Sequence, residues 1–215
     1  MGLFRAPAVY HVAHMMLAAT MQLDAAVPGG DEVARLQRGD WDALAVILPR
    51  YQARLYRFLV RMVGDHAAAE DLFQQTWIRA MEKIGSYKPE HRFDSWIYSI
   101  AHNLAIDHLR RKREWSLDAS MAASMDRHEQ AGEALGNRLP ASGPDPLEQI
   151  LEAERGAVLS AAMEGLPAIH RAVLTLRFEE EMKLEEIAKV ANIPLSTVKS
   201  RLSRALDGLR RSVFK

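Results

Sequence analysis

The chain has no cysteine among its 215 residues. That excludes a disulfide framework and any thiolate metal site. Aromatic residues are few, at 7%, and the 48% hydrophobic content rests mostly on Ala and Leu, with 10 Met. This composition favours helices over strands, which draw on aromatic and β-branched residues. No apolar run approaches the ~20 residues needed to span a bilayer. There is no Gly-rich phosphate loop, no Cys/His nucleophile set and no HExxH metal helix. A helical enzyme therefore lacks its working parts, and no catalytic residue, cofactor or metal is predicted. Glu179, Glu180 and Glu181 form a carboxylate run that reads as a solvated helix end.

Net charge is lacking too, with 28 Lys and Arg against 28 Asp and Glu. The balance hides a pattern. Residues 196–215 hold six Lys/Arg against Asp207, a net +5. Residues 92–113 hold five Lys/Arg against Asp94 and Asp107, a net +3. Residues 114–154 hold nine acids against Arg127 and Arg138, a net −7. Two basic blocks thus flank an acidic stretch, and nucleic acid suits such blocks better than the total suggests.

The basic C-terminal end carries the clearest motif. Residues 185–206 read as a short helix, a tight turn and a second helix, the layout of a helix-turn-helix whose second helix enters the DNA major groove. Ile187 and Ala188 face inward. Asn192 ends the first helix in the left-handed conformation. Pro194 stops it from continuing, and Ser196 caps the second helix. Val198, Leu202, Ala205, Leu206 and Leu209 recur at helical spacing as a buried stripe. Lys199, Ser200, Ser203 and Arg204 stay outside, near the helix start.

The rest of the pattern is helical throughout, and an all-α fold of two small domains is predicted. Residues 1–30 form an N-terminal extension, expected to be disordered or weakly helical. Val9 to Leu23 is apolar-leaning, but His11 and His14 interrupt it and a basic front is missing, so it does not read as a signal peptide. A cytoplasmic chain is expected. His11 and His14 read as half-exposed residues of a loose segment rather than metal ligands. Met15, Met16 and Met21 allow a later start.

In the first domain, 31–113, apolar residues from Trp41 to Met62 keep a 3.6 period, with Pro49 a candidate kink. Asp65 is a natural cap for a helix over 67–84, burying Ala69, Leu72, Phe73, Thr76, Ile78 and Ala80. After a loop over 85–92, a third helix runs to about Arg113, burying Trp96, Ile97, Ile100, Ala101, Leu104 and Leu109. His102 and His108 read as surface. Residues 114–147 lose periodicity and read as a linker without apolar anchors. The two domains are thus expected to be joined by a partner or by weak contacts. Helical patterning resumes for a second domain, 148–215.

Three segments carry a family resemblance. Residues 69–80 (AEDLFQQTWIRA), residues 93–111 (FDSWIYSIAHNLAIDHLRR), and Leu166-Pro167 with Arg171, Val173, Leu174, Leu176 and Arg177 resemble, in this order, a bacterial RNA polymerase sigma factor of the extracytoplasmic-function group, within the sigma-70 family. Three departures stand out. Gln75 occupies a position usually held by Glu. Glu181 sits at a turn position often held by Gly, and Lys183 where Ser or Thr usually caps.

The resemblance implies a transcription initiation factor that binds core polymerase and directs it to stress-response promoters. It has no reaction of its own. It implies contact with the clamp of the beta-prime subunit through Asp71, Gln74, Gln75 and Arg79, and with the flap of the beta subunit. The minus-thirty-five element is read as duplex by Ser196, Thr197, Lys199, Ser200, Arg201, Ser203 and Arg204. Lys199 and Arg204 would meet base edges, while Arg201, Arg210 and Arg211 would meet phosphates. The minus-ten element is read as an opened strand. That task needs basic, aromatic and loop residues, supplied by Tyr87, Lys88, His91, Arg92, Trp96, Asn103, Arg110, Arg111 and Arg113. Trp96 reads equally as core, and Asn103 as a helix-packing hydrogen bonder. The acidic linker would thread the polymerase toward its active-site and RNA-exit channels, and an anti-sigma factor is an implied partner. The alternative is a helix-turn-helix regulator that binds operators as a dimer. It would explain residues 148–215 and leave the rest without a role.

Overall fold

Every regular element among the residues described by a computed structural model, 30–122 and 158–213, is helical. The expectations for the N-terminal extension, for most of the linker and for residues 148–157 lie outside the described residues.

Helix α1 is Gly30–Gln37 and α2 is Ala43–Val63. The 3.6 period of α2 lands as predicted, with Leu44, Ile47, Leu48, Tyr51, Leu55, Phe58, Leu59 and Met62 all buried. Pro49 lies inside the helix without dividing it. The carbonyl it leaves without an i+4 partner belongs to exposed Ala45, where water can satisfy it. Gly64 closes α2 in the left-handed region at φ 70°, its N–H donating to the Val60 carbonyl at 2.8 Å.

Asp65 caps α3, His66–Lys83, accepting from the Ala67 and Ala68 N–H groups at 2.9 and 3.2 Å. The predicted stripe of α3 holds except at Ile78, which is half-buried. Ile78 is nine residues from Ala69, about half a revolution away at 3.6 residues per turn. Trp77 takes the place in the core, fully buried and edge-on to Tyr51 and Phe73. Each large side chain so buried contributes ~1.5–3 kcal/mol.

A 3-10 turn at Ile84–Ser86 leads through a loop to α4, Phe93–Ala122. The predicted end at Arg113 is too early. Residues 114–122 contain no Gly or Pro and continue the helix into the expected linker. Trp96 and Leu109 are half-buried rather than fully so, and His102 is not a surface residue but 5% exposed.

The second domain opens with a helix over 158–164, α5. Helix α6, Ala168–Leu174, runs into a π turn at Thr175–Glu179, closed by the Glu180 N–H donating to the Thr175 carbonyl at 3.1 Å. Helix α7 is Leu184–Ala191 and α8 is Leu195–Val213. Gly208 lets α8 pass close to Leu166, since a Cβ there would lie 2.5 Å from the leucine's Cδ2.

The two domains are not loosely joined. Helix α7 packs on α4 and α6 on α2, and Ala172, Val173, Leu176, Met182, Ile187, Val190 and Val198 share one apolar core with the first domain. The expectation of weak contacts rested on the linker alone. The apolar faces that meet are helix faces far from it in sequence.

Candidate nucleic-acid interface

The turn between α7 and α8 is built as its residues dictate. Asn192 sits at φ 51°, ψ 51°, and Ile193 N–H donates back to the Ala188 carbonyl at 3.0 Å. Ile187 is fully buried and Ala188 partly so. Helix α8 begins one residue earlier than expected. The Pro194 carbonyl accepts from Thr197 and Val198 at 2.9 and 3.1 Å, so Ser196 lies inside the first turn and is not the cap.

Val198 and Ala205 are fully buried, with Leu202 and Leu209 half-buried around them. Leu206 leaves the stripe at 43% exposure, about 80° around the helix from Val198. Ser196, Lys199, Ser200, Ser203 and Arg204 are exposed together on the outer face. Thr197 is half-buried. Arg201 is half-buried as well, and burial first, with the Arg201 charge in support, pushes the imidazoles of His102 and His170 down.

The departures at the head of α7 are handled locally. Glu181 takes φ 53°, the left-handed value a Gly would hold without strain. Lys183 has no capping oxygen, but its N–H donates to the Glu186 carboxylate at 2.8 Å, which preserves half of a capping box.

In the first domain, the loop before α4 is tied at each end. Gln37 donates to the Ile84 and Tyr87 carbonyls at 3.1 and 2.7 Å. Tyr87 is turned inward, edge-on to Phe93 and tilted against Trp96, and donates to the His91 carbonyl at 2.5 Å. It shapes the loop from beneath. Lys88 and His91 are exposed, as is Asn103 on α4, and Trp96 is half-buried. Arg92 is anchored by Asp94 at 2.7 Å and reaches Glu186 at 3.5 Å. Asp94 is 3% exposed and accepts a second hydrogen bond, from the Tyr51 hydroxyl at 2.5 Å. Hydrogen bonding to Asp94 raises the Arg92 pKa, and burial followed by the Asp94 charge raises that of Tyr51. Sequence reading missed Gln37, Tyr51 and Asp94. The available signal was Asp94 itself, a lone acid between Arg92 and an aromatic pair at a helix start. Arg110, Arg111 and Arg113 lie exposed along α4, with Arg110 3.4 Å from Asp107.

On α3, Asp71, Gln74, Gln75 and Arg79 are all exposed within one arc of the helix, and their side chains pair with none of the described residues.

An exposed basic reading helix in a helix-turn-helix, docked on a second helical module with its own basic helix and loop, defines a two-module DNA-reading protein. The comparisons with known proteins agree. The Sigma-70 region 2 family model matches residues 48–114 and the Sigma-70, region 4 model residues 162–211. The chain is 32% identical to the ECF RNA polymerase sigma factor SigW of Bacillus subtilis, over 84% of this chain and 94% of that one. It is 31% identical to the RNA polymerase sigma-H factor of Pseudomonas aeruginosa, over 84% and 91%. Among solved structures, the fold is similar to the sigma factor RpoE in complex with the anti-sigma factor NepR from Bartonella quintana, with TM-score 0.58 and 23% identity over 82% of this chain and 97% of that one. The chain belongs to the extracytoplasmic-function group of RNA polymerase sigma factors. It is a transcription initiation factor that binds core polymerase and directs it to promoters. No described helix is long and apolar enough to cross a membrane.

Proposed function

We propose that residues 31–113 and 148–215 act as the two promoter-reading domains of this factor, joined by 114–147 and preceded by an extension of 1–30. The second domain reads the minus-thirty-five duplex with Lys199 and Arg204 at base edges. Ser196, Thr197, Ser200 and Ser203 support them, and Arg201, Arg210 and Arg211 serve phosphates. The observation that carries this reading is the joint exposure of Lys199, Ser200, Ser203 and Arg204 on the outer face of α8.

The first domain takes the opened minus-ten strand on Lys88, His91, Arg92, Trp96 and Asn103, with Tyr87 shaping the loop. Arg110, Arg111 and Arg113 hold phosphates. Asp71, Gln74, Gln75 and Arg79 meet the beta-prime clamp, and the second domain meets the beta flap. An anti-sigma factor is a further partner, supported by the solved relatives, RpoE with NepR and CnrH with the cytosolic domain of CnrY. The factor works in the cytoplasm, where polymerase is, and catalyses nothing itself. An operator-binding dimer would account for α7 and α8 and leave the exposed face of α3 idle.

Run-off transcription with core polymerase on genomic fragments tests the assignment. Specific start sites that depend on this protein are expected. Core polymerase that initiates at the same sites without it would overturn the reading.

A further inference from the structure

Helix α8 carries its outer cations on two flanks. Arg204 lies about 120° round the helix from buried Val198 on one side, and Lys199 about 100° round on the other. The Arg204 flank is concave. It borders a notch of about 410 Å³ between α8 and the turn that joins α5 to α6. Arg204 and Arg211 line the notch two turns apart, with Gly208 between them. A Cβ at Gly208 would meet Leu166 Cδ2 at 2.5 Å, so the glycine leaves a floor where another residue would raise a ridge. His170 lines the notch from α6, and Ser212 adds a hydroxyl.

The lining holds two arginines and an imidazole and no carboxylate. The His170 ring forms no hydrogen bond with the described residues. Burial first, then the Arg201 and Arg204 charges, holds its imidazole below the usual range. The surrounding charges are few. From α8 come Arg201, Arg204 and Arg211, with Asp207 in the adjoining notch beside Arg204 and Arg211. Glu164 of α5 acts on Arg171, which donates away from the notch to the Glu164, Leu166 and Met62 carbonyls. The site is therefore two permanent cations and a third that they keep neutral. An anion seated among them would offset their repulsion of the imidazolium and add its own attraction.

We propose, on the reading of α8 as the duplex-reading helix, that this notch seats one phosphate of the DNA backbone beside the minus-thirty-five element, and that His170 binds it as imidazolium together with Arg211. Phosphates border the groove that a reading helix enters, and contacts to them fix its register while base contacts specify sequence. His170 is thus a positioning residue for Arg204, which stands at the rim between the notch and the base edges. The wall that holds the phosphate belongs to α6, outside the helix-turn-helix.

The consequence is proton-linked promoter binding. Above the His170 pKa of the complex, free and bound protein are both neutral there, and affinity does not change with pH. Below it only the complex takes the proton, so affinity rises as pH falls, until the lower pKa of the free protein is passed.

Holoenzyme binding to a duplex that carries the minus-thirty-five element and stops short of the minus-ten element tests this by fluorescence anisotropy. From pH 8 to pH 6 the wild type should gain roughly threefold to tenfold in affinity over His170→Gln. Its slope of log affinity against log salt should steepen by up to about 0.9, one phosphate's worth, and that of His170→Gln should not. His170→Lys, charged at every pH, should bind at pH 8 as the wild type does at pH 6. The other histidines are common to all three proteins, so the differences belong to His170. If His170→Gln lowers Tm, the comparison of His170→Lys with wild type carries the test.

Inorganic phosphate, titrated into the full chain, separates the two sources of the anion. The His170 ring signal in NMR is identified by its loss in His170→Gln. Equal pH profiles in all three proteins overturn the proposal, and if the ring signal still answers to inorganic phosphate, the occupant is a free anion and not the backbone. Arg204→Ala is measured alongside. Duplex binding indifferent to both Arg204→Ala and His170→Gln sinks α8 as the reading helix, whereas indifference to the His170 changes alone sinks only the phosphate seat.

Discussion

Arg204→Ala tests whether α8 reads sequence where its geometry allows. Arg204 is eight residues beyond Ser196, about 12 Å along the axis at 1.5 Å per residue. Arg210 is about 21 Å along. The major groove is about 12 Å wide, and a reading helix enters it by its N-terminal turns. On the proposed docking, Arg204 would stay within reach of base edges while Arg210 would have left the groove. Arg204 is exposed and forms no ion pair with the described residues, so its loss reports on DNA and not on the fold.

A bidentate arginine–guanine contact is worth ~1–3 kcal/mol. That is about 5- to 150-fold at 1.4 kcal/mol per factor of ten. The loss should fall on one or two base pairs of the minus-thirty-five element. Arg210→Ala should weaken all sequences about equally and reduce the slope of log affinity against log salt by about 0.9, one phosphate's worth. Transcription from a promoter library, with each variant at two salt concentrations, separates the cases. A uniform loss with Arg204→Ala, at unchanged base preference, would refute the docking and move the role to Lys199 or Ser203.

Asp71→Arg should weaken binding to core polymerase by at least about tenfold, since the reversed charge would oppose the proposed clamp contact; unchanged affinity in a folded variant, measured by fluorescence anisotropy, would remove Asp71 from the contact. Glu181→Gly should relieve a left-handed backbone that costs ~1–2 kcal/mol, less the added freedom of the unfolded glycine, raising Tm by up to about 2–4 °C. A lower Tm in a calorimetric scan would show that the Glu181 side chain matters more than its φ. Burial first, with the Arg201 charge in support, depresses the His102 pKa in the folded chain. Above the ordinary imidazole value of about 6.5 folded and unfolded chains both hold it neutral; below it the unfolded chain takes up the proton first, so stability should fall as pH drops. Tm should be lower at pH 5.5 than at 7.5 in the wild type, and His102→Gln should reduce that difference; an equal pH response in both would clear His102 of the effect.

The elements legible in the sequence are those where one local rule decides. The period of α2, the Asp65 cap, the Asn192 turn and the outer face of α8 all follow from spacing and residue type. The misreadings are those where a neighbour decides. Leu206 and Ile78 are apolar residues on the flank of a helix, and their burial depends on what stands opposite. Tyr87 has the composition of a base-stacking residue, but Phe93 and Trp96 draw it inward. Asp94 looks like a helix-start acid, and only Tyr51, 43 residues earlier, shows that it anchors Arg92. The union of the two domains had no local signal: the run Glu179 to Glu181 reads as a solvated helix end, yet folding buries the Glu180 side chain 2.5 Å from Arg54.

The π turn at Thr175–Glu179 holds one residue more than the α turn it replaces. One helical residue is about 100° of rotation and 1.5 Å of advance. That single surplus residue sets the phase of everything downstream, the glutamates and the reading helix alike, against α6 and its seat on α2. Deleting one residue there would turn α7 and α8 about 100° against α6, on which α8 itself packs, so the cost would fall inside the second domain as well as between the two. Chain length at this one point thus governs how the helix-turn-helix is presented, with no change to any residue on the outer face of α8.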